Sequence, residues 1–246
     1  MTLNGKTAVV TGAAGTMGLA VARMFLEEGA RVALVDLDAM RLDGLTRFLR
    51  GSILAVPCDI SDAQSVRQAQ QHIEQTLAPV DILVNNAGVL SNDKAEATSD
   101  AEWRRVMAAN LDGAFYWARA VLPGMKQRGW GRIVNVSSLA AKTGGLTAGT
   151  AYAASKGALA SLTFSLAREA APHGVTVNAI APAYVKTPMV TDQLNDAQQR
   201  QILAQIPVGR FCEPEEFAHA VCFLASPLSG FITGEMLDVN GGLQMD

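Results

Sequence analysis

The stretch Thr7-Ala8-Val9-Val10-Thr11-Gly12-Ala13-Ala14-Gly15-Thr16-Met17-Gly18 decides how this chain is read. A short, continuous apolar run passes through a glycine-rich turn into a helical pattern over about 16–28. A run that does not alternate is covered on both faces, as in a parallel sheet. Gly12 suits a tight turn, and Gly18 lets a helix lie close to the strand before it. The free amides of a helix N-terminus, with no Cβ in front of them, suit the pyrophosphate of a dinucleotide. An ordinary glycine-rich turn looks the same, so the motif needs partners elsewhere in the chain. Gly5-Lys6-Thr7 mimics the end of a Walker loop, but it lacks the earlier glycine and precedes the strand.

The pattern repeats outward from this stretch. Apolar runs recur at 31–35, 53–56, 80–84, 132–136, 175–180 and 236–239, with helix-like stretches at about 39–49, 62–77, 100–126, 152–171 and 214–225. Ser61-Asp62 and Glu213-Pro214 read as helix starts, Gly29 and Gly174 as helix stops. Strand–helix–strand repetition predicts a single α/β domain over 1–246, a Rossmann-like doubly wound parallel sheet of about seven strands with helices on both faces. One long segment, about 183–210, shows no strand and carries Pro182, Pro188, Pro207 and Gly209 at or near its ends. It is expected to be an irregular substrate lid. Met189, Leu194, Ile202, Leu203 and Ile206 give it an apolar side that suits a partly apolar substrate.

Composition narrows the function. Of 246 residues, 49% are hydrophobic, which excludes intrinsic disorder. Charged residues are 17%, below the ~25% usual for soluble domains, which suggests burial between subunits. A net charge of −3 argues against a nucleic-acid partner. Cys58, Cys212 and Cys222 are odd in number and form no C-x-x-C, and His72, His173 and His219 have no metal-ligand spacing. No metal is expected. No signal-like segment precedes the first strand and no run of 18 apolar residues occurs, so a cytoplasmic protein without a membrane partner is expected.

The partners of the glycine turn lie at the ends of the later runs. Asp36 follows Gly18 by 18 residues, placed to accept from both hydroxyls of an adenosine ribose and to repel a phosphate there. No Lys or Arg stands in 12–18 or directly after Asp36, which favours NAD over NADP. Asp59-Ile60 and Asn86-Ala87-Gly88 lie at carboxyl ends of strands, where open parallel sheets bind ligands. Ser138 ends the fifth run, and Tyr152 follows it by 14 residues. Tyr152 and Lys156 are i and i+4 on one helix face. A nearby ammonium lowers a tyrosine pKa and makes a general acid/base without histidine.

Taken together, Thr11…Gly18, Asp36, Asp59, Asn86-Ala87-Gly88, Asn110, Ser138, Tyr152, Lys156, Pro182 and Thr187 resemble the short-chain dehydrogenase/reductase family. The resemblance runs from Lys6 to Gly242 and includes Phe231-Ile232-Thr233-Gly234 and Asp238-Val239-Asn240-Gly241-Gly242. It implies that Tyr152 moves the reacting proton, Ser138 binds the substrate oxygen, and Lys156 holds the nicotinamide ribose and tunes Tyr152. Asn110 would anchor a proton-relay water. Gly12, Gly15, Thr16, Met17, Gly18, Asp36, Leu37, Asp59, Ile60, Asn86, Ala87, Gly88, Pro182, Val185 and Thr187 would contact NAD. Tyr184 either packs the lid or lines the substrate site. Three departures stand out: Thr16 replaces the family's middle glycine, Ala183 follows Pro182 where glycine is usual, and the Ser138–Tyr152 loop is one residue longer than the common spacing.

The expected function is therefore NAD-dependent hydride transfer between a secondary alcohol and its ketone, in a homotetramer. The alternatives are a 3-oxoacyl-(acyl-carrier-protein) reductase, an activity the family couples to NADPH, and a catalytically silent nucleotide-binding regulator on the same fold. Hydrolysis has no G-x-S-x-G and no suitably placed histidine to support it.

Overall fold

The computed structural model describes residues 2–188 and 195–245. Met189 and Leu194 lie outside the described residues. The elements alternate from the start: β1 (Thr7–Thr11), α1 (Thr16–Glu27), β2 (Arg31–Asp36), α2 (Ala39–Phe48), β3 (Ile53–Pro57), α3 (Ala63–Thr76), β4 (Ile82–Asn85) and α4 (Asp100–Met107). They continue with α5 (Gly113–Arg128), β5 (Gly131–Val136), a short α6 (Ala140–Thr143), α7 (Thr150–Ala170), β6 (Val175–Pro182), α8 (Asp196–Leu203), α9 (Pro214–Ala225) and β7 (Met236–Val239). The described strands form one sheet in the order β3-β2-β1-β4-β5-β6-β7, with every pairing parallel.

Successive strand residues point to opposite faces, and both faces are packed. Ala8, Val10, Val32, Leu34, Val84 and Ile180 meet Phe25 of α1, Leu42 of α2 and Phe217 of α9. Val9, Ala33, Val35, Leu83, Ile133 and Val177 meet Ile73 of α3, Trp117 of α5 and Leu166 of α7. This two-sided burial is why the strands read as continuous apolar runs. Asp62 caps α3 through the Gln64 and Ser65 amides. Pro214 opens α9, with the Glu216 carboxylate accepting from the Glu213 amide.

Two expectations are corrected. The helix over about 100–126 is interrupted: α4 and α5 are separated by a π-helical turn at Ala108–Asp112. The extra residue turns Asn110 inward, where its side chain is held by Val89 and Ser155. Such π turns recur at functional sites. The 183–210 segment is not irregular throughout, because α8 lies inside it. Asn195 and Gln198 form a reciprocal capping box there, the Asn195 side chain accepting from the Gln198 amide and the Gln198 side chain accepting from the Asn195 amide.

The chain runs outward from β1 to β3, then returns to place β4 on the other side of β1. Ligands bind outside the carboxyl ends of the strands at such a reversal. The Gly12–Gly18 turn follows β1 there, and Asn86–Gly88 follows β4.

Candidate active site

At the β1–α1 turn, backbone meets backbone. Gly12 has φ +66°, and a Cβ on it would stand 2.8 Å from the Ala87 Cα. A Cβ on Gly18 would stand 2.3 Å from the Gly12 carbonyl oxygen. Thr11 and Asn86 fix the approach: the Asn86 and Ala87 amides both donate to Thr11 Oγ1 at 3.0 Å, and Asn86 Nδ2 donates to the Thr11 carbonyl at 2.9 Å. The N-cap residue Gly15 is exposed and brings no side-chain cap, so the first amides of α1 face outward. A Cβ on Gly15 would meet only the Gly12 carbonyl, at 3.3 Å. This cradle fits the pyrophosphate of a dinucleotide even with Thr16 as the first helical residue.

Asp36 is tied to the same turn. Its Oδ2 accepts from the Ala14 amide at 3.0 Å and its Oδ1 from the Asp38 amide at 3.2 Å. The neighbouring Leu37 is 73% exposed, an apolar face beside the carboxylate. Thr16 also borders a second cavity of about 420 Å³ with Arg23 and Arg41.

A larger cavity of about 540 Å³ opens at the carboxyl ends of β4, β5 and β6. Met17, Asn86, Gly88, Ser138, Tyr152, Lys156, Pro182, Tyr184, Val185 and Thr187 all line it. Tyr184 is therefore a wall residue, and its φ of +46° is the one left-handed non-glycine among the described residues. Gly12, Gly15, Thr16, Gly18, Asp36, Leu37, Asp59, Ile60, Ala87 and Asn110 are not in this wall. Most of these sit in or beside the turn, whereas Asp59 and Ile60 follow β3, the strand beyond β2. Asp59 Oδ1 accepts from the Ser61 amide and hydroxyl at 2.9 and 2.6 Å, making a local turn. The Ile60 side chain packs against α5, where a Cβ on Gly113 would meet its Cδ1 at 2.7 Å.

Helix α7 presents Tyr152 and Lys156 to the cavity. Lys156 Nζ donates to the Val136 carbonyl at 2.7 Å, using one of its three protons. Ser137 Oγ donates to the Lys156 carbonyl at 2.9 Å. Ser155 Oγ donates to the Tyr152 carbonyl at 2.7 Å and accepts from Asn110 Nδ2 at 3.0 Å. Asn110 also accepts from the Val89 amide at 2.7 Å and donates to its carbonyl at 3.0 Å. A Cβ on Gly88 would stand 3.0 Å from Asn110 Oδ1 and 3.4 Å from Lys156 Nζ. Asn110 is thus a brace between the β4 loop and α7, with both amide protons spent on protein.

Burial works against the expected tuning of Tyr152. Lys156 Nζ stands over the Tyr152 ring, 5.7 Å from its centroid, and also donates to the Val136 carbonyl. Burial among protein atoms pushes the Tyr152 hydroxyl upward, and a hydrogen bond with Ser138 only partly opposes it. Burial also lowers Lys156, to about 8. The Lys156 ammonium and the Tyr152 phenol share one cavity.

Sequence reasoning missed several wall residues, among them Leu90, Asn92, Thr143, Leu146, Thr147, Ala148 and Gln198. They lie on loops, where no periodic pattern marks a side. Ser155 was also missed, although a small hydroxyl residue directly before Lys156 is a readable signal.

This fold and this site define an oxidoreductase of the short-chain dehydrogenase/reductase family, and the chain belongs to it. A family model described as Enoyl-(Acyl carrier protein) reductase matches residues 12–244. The chain is 40% identical over the full length of both proteins to 3-oxoacyl-(acyl-carrier-protein) reductase FabG of Vibrio cholerae. It is 42% identical to galactitol 2-dehydrogenase (L-tagatose-forming) of Cereibacter sphaeroides, over 98% of this chain and 95% of that protein. Nodulation protein G of Rhizobium sp. (strain N33) is 39% identical over 99% and 98%. No helix among the described residues is long and apolar enough to cross a membrane.

Proposed function

We propose that this protein transfers a hydride between a secondary alcohol or its ketone and NAD, with Tyr152 as the proton donor and acceptor. The observation that carries the reading is the convergence of Ser138, Tyr152 and Lys156 on one cavity that adjoins the glycine turn. Bound NAD supplies the hydride acceptor. Gly12, Gly15, Gly18 and the first amides of α1 hold its pyrophosphate, and Asp36 takes the ribose hydroxyls. Val185 and Thr187 would contact its nicotinamide amide, and Met17, Asn86, Gly88 and Pro182 line the same cavity. Ser138 Oγ binds the substrate oxygen, Tyr152 takes the hydroxyl proton during oxidation, and Lys156 holds the nicotinamide ribose with its remaining protons. Asn110 positions these groups through Ser155.

The wall supports an uncharged substrate. Among the described lining residues Lys156 is the only charged one, so no free cation waits for a carboxylate. Leu90, Leu139, Leu146 and Ile202 offer apolar contact, and Asn92, Thr143, Thr147 and Gln198 offer hydrogen bonds. A second reading, reduction of a 3-oxoacyl thioester with NADPH, draws on the names of the relatives and on Arg23 and Arg41, which supply cations beside Thr16.

Assays of a panel of neutral polyols, cyclic alcohols and acetoacetyl coenzyme A with each cofactor separate the two. The first reading expects alcohol oxidation with NAD at a rate that rises with pH, since the buried phenol must ionise. Exposed Trp103, Phe115 and Phe164 on α4, α5 and α7, with Phe223, Leu228 and Phe231 after them, support assembly into a homotetramer. Light scattering is expected to give the mass of four 25.9-kDa chains.

A further inference from the structure

The loop between Ser138 and Tyr152 forms one wall of the cavity, and it is long for its place. After α6 the chain reverses through two consecutive left-handed residues, Gly144 at φ +74° and Gly145 at φ +82°. The turn closes tightly: a Cβ on Gly145 would stand 2.9 Å from the Ala148 carbonyl oxygen. Two backbone carbonyls, those of Gly145 and Ala148, are thereby brought to the same side. Lys94, on the loop after β4, donates to both, at 3.2 Å and 2.7 Å.

The segment around Lys94 runs along the rest of the loop. The Gly149 amide donates to the Ser91 carbonyl at 2.7 Å, and the Thr150 amide to the Asp93 carbonyl at 3.0 Å. A Cβ on Gly149 would stand 2.4 Å from the Asp93 carbonyl oxygen, so the two backbones touch. Residues 145–148 and Asn92 line the cavity, whereas Lys94 does not. An ammonium facing two carbonyl dipoles makes charge-assisted bonds, stronger than neutral ones.

From this geometry we infer that Lys94 is a positioning residue for substrate: it gathers the Gly145 and Ala148 carbonyls and so fixes the wall formed by Leu146 and Thr147. Its role is specificity and substrate affinity, not the hydride or proton step. The claim that it acts on substrate rests on the reading given under Proposed function. The claim that it holds the wall does not.

The test uses Lys94→Met, which keeps the stem and removes the donors, and Lys94→Arg, which restores them. Hydrogen exchange of the full-length protein reads the wall without any substrate. Lys94→Met is expected to raise exchange at the Gly149 and Thr150 amides at least tenfold, with β5 unchanged and Lys94→Arg close to wild type. Unchanged exchange in Lys94→Met overturns the inference. In steady-state assays with galactitol and NAD, and with acetoacetyl coenzyme A and NADH or NADPH, KM of the substrate that turns over is expected to rise about tenfold. In the same assays kcat should stay within threefold and KM of the cofactor should hold. Loosened exchange with an unchanged substrate KM overturns the specificity role. A wild type inert with every alcohol and ketone sinks the proposed reaction, and the exchange result still decides the clamp.

Discussion

At the cofactor end of the cleft, backbones approach so closely that side chains are excluded: a Cβ at Gly18 would lie 2.3 Å from the Gly12 oxygen. At the substrate end backbones of separate loops touch only at Gly149, and long-range ties are made by side chains, Lys94 to the Gly145 and Ala148 carbonyls and Lys142 of α6 to Asp238 of β7 at 2.7 Å. The first kind of order is written as glycine at fixed spacing, because no other residue fits. The second is written in residues whose chemistry is ordinary and whose partners lie about 50 or more positions away. The two ends therefore ought to fail differently when disturbed, and substitutions can separate them.

The largest separation is expected from Tyr152→Phe. The hydroxyl is lost and the ring kept, so turnover should fall by the ~10²–10⁴ typical of removing a general acid/base. NADH binding, read by its fluorescence, should stay within about threefold because Gly12–Gly18 and Asp36 are untouched. A variant that keeps a tenth of wild-type turnover would show that the proton leaves by another group.

Lys156 links the ends, and its burial carries a pH signature. Its folded-state value of about 8 lies below the ordinary 10.5, so the unfolded chain binds more protons between those values. Stability should then rise as pH is raised through that window, and the penalty is fully present below pH 8. The rise from about pH 7 to about pH 9.5 amounts to about 2 kcal/mol at ~1.4 kcal/mol per pH unit of differential protonation. Lys156→Met should be flat over the same range apart from groups common to both. Urea midpoints at the two pH values check it, and parallel slopes in the two proteins would refute it.

How much of this was legible follows the same division. Strand positions, the glycine turn, Asp36, and the Tyr152–Lys156 face could all be read, since each depends on a local period or on steric exclusion. The π turn at Ala108–Asp112 could not, because what stabilises it is the distant Val89 and Ser155. Helix α8 could have been read from the Asn195…Gln198 pair but was hidden by the neighbouring prolines. The i,i+4 spacing of Tyr152 and Lys156 shows a shared face but neither the burial that pushes the phenol upward nor the Val136 carbonyl that takes one proton of the ammonium.

The reciprocal disturbance belongs to the turn. Gly18→Ala forces a methyl against the Gly12 oxygen and should cost about 1–3 kcal/mol, the range for overpacking a tight site. Gly44→Ala in α2 meets nothing within 4 Å and should be neutral or stabilising by up to ~1 kcal/mol. Thermal melts should show a lowered melting temperature for Gly18→Ala and an unchanged or raised one for Gly44→Ala if close approach, and not glycine content, holds the turn. Equal melting temperatures would remove the distinction drawn between the two ends.

The smallest expected effect is also the finest test, because it changes the cofactor end without moving the substrate end. Asp36 is fixed by the Ala14 and Asp38 amides, and Leu37 beside it is mostly exposed and uncharged. A phosphate on the adenosine ribose would meet the carboxylate there. At least tenfold preference for NAD over NADP in kcat/KM is expected, which requires only ~1.4 kcal/mol. Asp36→Ala with Leu37→Arg removes the repulsion and adds a fork-shaped donor suited to phosphate, so the ratio should invert. The KM of the alcohol should not change, because neither residue lines the large cavity. Arg41 makes the prediction sharper still. If that guanidinium beside Thr16 already receives the phosphate, the wild type will use both cofactors alike, and Arg41→Ala alone will restore the preference for NAD.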